Sequence, residues 1–444
     1  MTTCRSMETP ALPQFATAHV RDDAGPAINR ADVALAAGLA LAALAVYAGF
    51  GLRLAQGRYS EFYNLAFDFD PPRYVALLAH AEYDRGNVKH PLTLLLRPLA
   101  WPLLAVGIAP KAAAALVMAG FGAATVGVVF LFLRSLAVAG GLAAALAVLF
   151  AVSGCQVFTA MIPEAYGPAA FGIAAVWLLA VWRLADLRHG RMLRFALAAF
   201  GYGVTTTNLM QPVLAEALAW WRHRGLRGAV LPMLRYGLAV AAICAVLTAL
   251  VWADVLWNFL ADPVAVAKEV YWQRTKGERV GLADVLLRLV GYGVVSPRFV
   301  AVALPDGITM LDFRAPLFDP LAALAFGLWQ VFWLAGAIAA FVHPSTRFLA
   351  LGLTATLVLN IAFHLDFQFR GSVYLYAAHT HFLVFALGTG LAPMLRPGSA
   401  VARAYLGVVL LLVVLVGAVT FDRARALATG FDEVNITCTA PCTE

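Results

Sequence analysis

The sequence predicts an all-α protein, a polytopic bundle of transmembrane helices. Of its 444 residues, 62% are hydrophobic and only 13% are charged, and the mean hydropathy is +0.80. Soluble domains are roughly half apolar and about a quarter charged. Apolar runs of about 20 residues, the length that crosses a bilayer, recur along the whole chain. We therefore expect a multi-pass membrane protein without a large soluble domain.

The apolar runs predict about eleven spans, at 32–53, 111–133, 136–153, 164–182, 195–207, 212–221, 236–257, 320–342, 347–365, 374–393 and 404–421. The fifth and sixth are short for a bilayer. They predict a hairpin of half-helices whose tip opens into a cavity, unless the span ends are misplaced. Residues 91–109 are also apolar, but they carry Arg97, Pro98 and Pro102. They are expected to form a re-entrant or surface segment in place of a crossing.

The net charge of +7 is a topology signal, because the basic residues cluster in short loops between spans. It does not indicate nucleic-acid binding. If residues 91–109 do not cross, the arginine-rich loops lie on the side of the N-terminus. This predicts a protein of the cell inner (plasma) membrane, with the N-terminus cytoplasmic and the C-terminus extracytoplasmic.

Three regions follow from this topology: a cytoplasmic N-terminal tail (1–31), a transmembrane domain (32–421) and an extracytoplasmic C-terminal tail (422–444). The outside loops of the domain include a first loop at 54–110 and a long loop at 258–319. In the long loop, residues 280–295 show an amphipathic pattern that is expected to lie along the membrane surface. The tail cysteines Cys438 and Cys442 are either incidental or a small disulfide.

The first outside loop contains a polar island at 61–92. Asp68 and Asp70 alternate with Phe67 and Phe69, so an extended segment would point both acids to one side. Such a pair can hold a divalent cation, Mg or Mn, or supply a general base. The alternative is that they are turn-forming acids before two prolines.

Further ionisable residues are predicted near the same face of the membrane. Glu164 either joins the site or only favours a helix N-terminus electrostatically. Arg370 suits bidentate phosphate binding or anchors a lipid headgroup. His379 and His381 lie two residues apart in an apolar span, which places them on different sides of a helix, so a shared metal site is not expected.

The order of these parts resembles the GT-C superfamily of polytopic glycosyltransferases, in particular the branch with protein O-mannosyltransferases and lipid A aminoarabinose transferases. The matching elements are Asp70 with Tyr74, Lys89-His90-Pro91-Leu92, Pro163-Glu164, and the stretch from Arg370 to His379. The chain departs from the family pattern in having one proline after His90. It also lacks the lysine often found in the loop at 205–211.

The resemblance implies a transferase that moves a hexose or pentose from a polyprenyl phosphate or diphosphate donor to a glycan, lipid or protein acceptor outside the membrane. Asp70 would be the general base, and Asp68 and Glu164 would assist it or bind a cation. Arg370, with Lys89 or His90, would neutralise the phosphate, and Tyr74 and His379 would contact substrate. Three other functions stay open: an O-antigen ligase or polymerase, a transporter or flippase for lipid-linked or small polar substrates, and a structural membrane subunit.

Overall fold

The computed structural model describes residues 28–79, 92–265, 268, 279–303, 309–368 and 372–430. In these ranges the chain is a bundle of α-helices with one two-stranded sheet. This confirms the all-α, polytopic class. The tail cysteines and the ends of both tails lie outside the described residues.

The first half of the bundle has nine helices within the described ranges: α1 (Arg30–Gln56), α2 (Pro71–Ala79), α3 (Leu92–Ala105), α4 (Pro110–Ser135), α5 (Gly140–Ala151), α6 (Gly154–Met161), α7 (Tyr166–Ala185), α8 (Leu193–Val204) and α9 (Met210–Ala261). A capping box between Asn29 and Asp32 begins α1, because it satisfies backbone N–H groups that lack helical partners. Proline at the first position begins α4, as its fixed φ suits a helix start. Helices α5 and α6 meet at a bend of 61°.

The second half contains α10 (Leu282–Leu286), β1 (Val300–Ala303), β2 (Thr309–Asp312), α11 (Pro320–Val342), α12 (Pro344–Asp366), α13 (Ala378–Gly388) and α14 (Ala400–Gly430). Asp319 caps α11 by accepting a hydrogen bond from the Ala322 N–H. Strands β1 and β2 pair antiparallel, from Val300 opposite Asp312 to Ala303 opposite Thr309.

Within the described residues, eight helices are long and apolar enough to cross a membrane, and the bent α5–α6 pair makes a ninth. The count of eleven is therefore not confirmed. The two extra spans are the short ones predicted at 195–207 and 212–221. The first corresponds to α8, which has only 12 residues. Helix α3 has 14 residues, fewer than the roughly 20 needed to cross, as expected for residues 91–109.

Helix α9 has 52 residues, but it folds back on itself. Arg194 contacts the Glu216 carboxylate, and its carbonyl oxygen accepts a hydrogen bond from the Tyr236 hydroxyl at 3.4 Å. In a straight helix those two positions would be roughly 30 Å apart. Gly225, with φ at 67°, supplies the non-helical residue at the reversal. The first arm of α9 therefore lies beside α8, while the cavity at the tip between them stays a prediction.

The centre of the bundle is the segment Val373–Met394, which contains α13. Its most apolar window is 94% buried, whereas that of α1 is only 17% buried. Of residues 280–295, positions 281–283 and 286 are exposed, whereas 288–295 enter the interior. The prediction of a surface-lying helix is therefore wrong for residues 288–295. Their carbonyls accept hydrogen bonds from the bend between α5 and α6, Gly154 N–H to Val294 and Cys155 N–H to Gly293, at 3.0 and 2.8 Å. Interior polar partners, which sequence periodicity does not report, explain the difference.

Ionic contacts mark the end of the bundle at which α1 begins and α7 ends. Arg134 pairs with Asp32 at 2.7 Å. Arg183 donates hydrogen bonds from Nε and Nη2 to the two carboxylate oxygens of Glu216, at 2.8 and 2.9 Å. These arginines come from the runs that the sequence placed on the side of the N-terminus, and they lie far from the acids that follow α1.

Replacing Gly336 with Ala is expected to destabilise the protein by at least about 1–3 kcal/mol, as overpacking does. A Cβ on Gly336 would lie 1.8 Å from the Gly388 carbonyl oxygen, so α11 would be pushed off the central helix. Gly327→Ala on the same helix is the matched control, because its Cβ would meet no atom within 4 Å. Thermal unfolding in detergent checks this. Equal melting temperatures for the two variants would contradict the close contact.

Candidate active site

The loop between α1 and α2 carries the two predicted acids in a strained conformation. Asn64, Phe67 and Asp68 have φ values of 63°, 55° and 62°, in the left-handed region that costs ordinary residues roughly 1–2 kcal/mol each. The predicted extended segment was therefore wrong here. Phe67 and Phe69 are buried, but so is Asp68, at 5% exposure, while the Asp70 side chain is 24% exposed. Strain of this kind is concentrated at functional sites.

Contacts distant in sequence hold this loop in place. The Phe67 N–H donates to the Leu311 carbonyl at 2.9 Å, and the Leu311 N–H donates to the Leu65 carbonyl at 2.8 Å, so β2 pairs with the loop. The Phe67 ring packs against four other rings of the core, Phe158, Phe299, Phe313 and Tyr374, at centroid distances of 4.9 to 5.7 Å. This aromatic packing offsets the backbone strain.

Glu164 ties the strained loop to the start of α7. One carboxylate oxygen accepts from the Asp70 backbone N–H at 2.8 Å, and the other accepts from the Ala165 N–H at 2.9 Å. The Tyr74 hydroxyl is also hydrogen-bonded to it. Burial raises the pKa of Glu164 to about 7, and the negative charge of Asp70 adds to the rise. Glu164 thus binds the backbone just before α7, and it also places Asp70.

Asp70 lies directly before α2 and forms an ion pair with Arg73, whose Nη1 is 2.6 Å from Oδ2. The Arg73 guanidinium also lies over the Tyr63 ring, 5.9 Å from its centroid. Asp70 is the more exposed of the two loop acids, so it is the carboxylate that a substrate can reach. A partly exposed carboxylate can accept a proton from a substrate.

An aromatic wall lies beside the acids, formed by the start of α7, the end of α12 and the start of α13. Tyr166 stacks on Phe69 at 5.5 Å and lies 5.5 Å from His379. His364 stacks on Tyr376 at 4.1 Å. Tyr376 is close enough to Asp68, Asp70 and Glu164 to interact with their charges. The structure therefore brings the predicted residues Asp68, Asp70, Tyr74, Glu164 and His379 together.

The other predicted site residues divide into two groups. Lys89, His90 and Arg370 lie outside the described residues. His381 is described, and it faces away from His379: its Nε2 is 2.7 Å from the Ser153 hydroxyl oxygen and its ring stacks on Phe150. The two histidines therefore point to different sides, as expected from their spacing.

The half-helix hairpin also reaches the site through Gln211, which sequence reasoning placed at a tip without giving it a partner. Its side-chain nitrogen donates to the His379 carbonyl at 3.2 Å, and its oxygen accepts from the Trp177 indole at 2.9 Å. Arg73 was missed altogether. The sequence signal that could have found it is its position three residues after Asp70, a spacing at which the two side chains can pair.

Metal binding by Asp68 and Asp70 stays a prediction. Across the part of the chain that the structure describes, no three histidine, cysteine or acidic side chains come close enough to hold a metal ion. The carboxylates present are of the kind that Mg or Mn prefers.

The stability of the fold should fall as pH rises from about 4.5 to about 7. The ordinary pKa of 4.5 for Glu164 is raised to about 7 in the folded protein. The native state therefore binds more protons over this range, and raising the pH favours unfolding. In Glu164→Gln the melting temperature should change less with pH over this range than it does in wild type. The control is Glu61→Gln, an exposed acid at the same end. Parallel curves for wild type and Glu164→Gln would contradict the assignment.

Comparison with known proteins finds similarity among solved structures. Neither a family model nor a curated protein matches the chain. Among solved structures it is similar to the archaeal oligosaccharyltransferase AglB from Archaeoglobus fulgidus in complex with an inhibitory peptide and a dolichol-phosphate, at 14% identity and a TM-score of 0.41. It is also similar to the apo form of the Archaeoglobus fulgidus oligosaccharyltransferase, at 15% identity and a TM-score of 0.39. Both alignments cover 88% of this chain and 56% of the solved chain, so the chain spans little more than half their length.

The fold and the site define a class of protein. The chain is a multi-pass helical membrane protein, and at one end of its bundle it carries an acidic site with an aromatic wall.

Proposed function

We propose that this chain is a membrane glycosyltransferase, which moves a sugar from a polyprenyl-phosphate-linked donor to a glycan, lipid or protein acceptor at the extracytoplasmic face. The observation that carries the proposal is the placement of Asp70. A partly exposed carboxylate is held on a strained loop by a buried one, Glu164, with a cation and aromatic rings beside it. The resemblance of the same residues to the GT-C pattern supports the proposal.

In the proposed reaction, Asp70 takes the proton of the acceptor hydroxyl. The acceptor oxygen then forms a bond to the anomeric carbon of the donor sugar. The bond from that carbon to the phosphate oxygen breaks, and the phosphate leaves with the electron pair. The base acts on one side of the anomeric carbon, and positive charge is needed on the other. We assign that charge to Arg370, with Lys89 or His90.

The remaining site residues take supporting roles in this proposal. Glu164 positions Asp70 through its backbone N–H, and Tyr74 holds Glu164. Tyr166 and His379 form the wall against which the sugar lies, since aromatic faces suit the apolar face of a sugar ring. Asp68 assists the base or, with Asp70, holds a divalent cation.

The test compares the envelope glycans, lipid-linked and polymer-attached, of a strain lacking the gene with those of the restored strain. We expect one sugar decoration to disappear on deletion and to return with the wild-type chain. Accumulation of the lipid-linked donor in the deletion strain would place the block at transfer. If the glycans do not change between the strains, the transport function becomes the better hypothesis.

A further inference from the structure

Arg73 has hydrogen-bonding capacity that the fold does not use. Its Nη1 binds Asp70, but its Nε is buried and has no hydrogen-bond partner among the residues that the structure describes. A buried guanidinium donor without a partner is costly, because its hydration is lost and nothing replaces it. Nε lies on the same edge of the guanidinium as Nη2, whereas Asp70 is bound through Nη1.

Two other arginines show what this edge normally does in the chain. Arg183 uses Nε and Nη2 to bind both oxygens of Glu216, at 2.8 and 2.9 Å. Arg134 uses the same pair of nitrogens for the two oxygens of Asp32, at 2.7 and 3.4 Å. Each of these edges takes a two-oxygen anion. The same edge of Arg73 lies beside the proposed general base and is suited to an anion of the same kind.

The charge of this residue favours an external anion. Burial alone would lower the pKa of Arg73, but the charges of Asp70, Tyr74, Glu164 and Tyr63 together outweigh it, so the net pKa is raised. The guanidinium therefore stays charged. Its side chain as a whole is 22% exposed, although Nε itself is buried. Planar guanidinium edges bind phosphate in a bidentate manner.

We propose that the Nε and Nη2 edge of Arg73 binds the phosphate group of the lipid-linked donor while Nη1 stays on Asp70. The proposal rests on the proposed function and adds a residue to it. One guanidinium then joins the leaving group to the base. It fixes the distance between the phosphate and the carboxylate, and it stabilises the charge that develops on the phosphate oxygen as the sugar leaves.

The test measures binding of a polyprenyl monophosphate, and of the matching polyprenol without phosphate, to the purified full-length protein in nanodiscs. Arg73→Lys keeps a positive charge near Asp70 but loses the two-nitrogen edge. We expect it to bind the polyprenyl phosphate roughly tenfold more weakly than wild type, with binding of the polyprenol unchanged. Arg73→Gln should be weaker still.

Arg58→Lys is the matched control. Arg58 is exposed at the same end of the bundle and pairs with Glu61 at 3.5 Å, so its substitution should leave binding at the wild-type level. Melting temperatures show whether each variant is folded. Wild-type binding of the polyprenyl phosphate by folded Arg73→Lys and Arg73→Gln would overturn the proposal.

Two further arms identify the source of the phosphate. Phosphatidic acid in the nanodisc should compete poorly, and inorganic phosphate should compete only at much higher concentration. Equal competition by phosphatidic acid would make Arg73 a headgroup anchor and would overturn the proposal. The assay contains no sugar and no acceptor. Its failure would therefore leave the transferase proposal standing, and the envelope glycans test that proposal separately.

Discussion

Asp70→Asn should lower the rate of sugar transfer by roughly 10²–10⁴-fold, the usual contribution of a general base. Asparagine has the same shape, and its amide oxygen can still accept a hydrogen bond from Arg73. The backbone N–H that binds Glu164 is unaffected by the substitution, so the loop should keep its conformation. The initial rate with purified enzyme and a synthetic lipid-linked donor measures the effect.

The control for this experiment is Glu61→Gln. Glu61 is an exposed acid at the same end, where it pairs with Lys111 at 2.8 Å, and its substitution should leave the rate unchanged. Comparing Asp70→Asn with Glu61→Gln distinguishes loss of the general base from a general change in surface charge. A rate near wild type for Asp70→Asn would exclude Asp70 as the base. A matching loss in Asp68→Asn alone would move the role to the buried acid.

Phe67→Ala should destabilise the protein by about 3–5 kcal/mol, the range for removing a buried phenylalanine ring. The ring is fully buried and packs against four others of the core. Its loss should also release the loop that carries Asp70, so activity should fall with stability. Thermal or denaturant unfolding in detergent measures the first effect.

Glycine substitution separates the ring from the backbone at this site. Because φ at Phe67 is 55°, alanine keeps the left-handed strain of roughly 1–2 kcal/mol, whereas glycine does not. Phe67→Gly should therefore be at least as stable as Phe67→Ala. Phe158 is the matched control, since it is equally buried but lies in α6. There glycine should be worse than alanine by about 1 kcal/mol. If the glycine variant is less stable than the alanine variant at both sites, Phe67 is not strained.

The sequence predicted most of the helices, because their signals are local. Proline marks the starts of α4, α11 and α12, and apolar length sets the spans. The acids could also be found, since a carboxylate among apolar spans is costly and therefore stands out. The conformation of their loop could not be found. It depends on Leu311 and on rings that are remote in sequence, and no local pattern encodes left-handed values at Phe67.

Two differences have the same kind of cause. Residues 280–295 have surface-like periodicity, yet hydrogen bonds from Gly154 and Cys155 hold the second half of this stretch inside. Nothing in the sequence around Arg73 indicates which of its nitrogens have partners, and only the structure shows this. In both cases the structure depends on which groups form hydrogen bonds with each other. Groups that are far apart in the sequence cannot be paired from sequence spacing alone.

The pairing of Leu311 with Leu65 and Phe67 has a consequence for the order of assembly during synthesis. The two sides of this contact are separated by about 240 residues, and ribosomes add about 5–20 residues per second. The acids therefore leave the ribosome on the order of tens of seconds before the strand that shapes their loop. A nascent chain that ends before β2 would carry Asp68, Asp70 and Glu164 and still lack the arrangement that joins them.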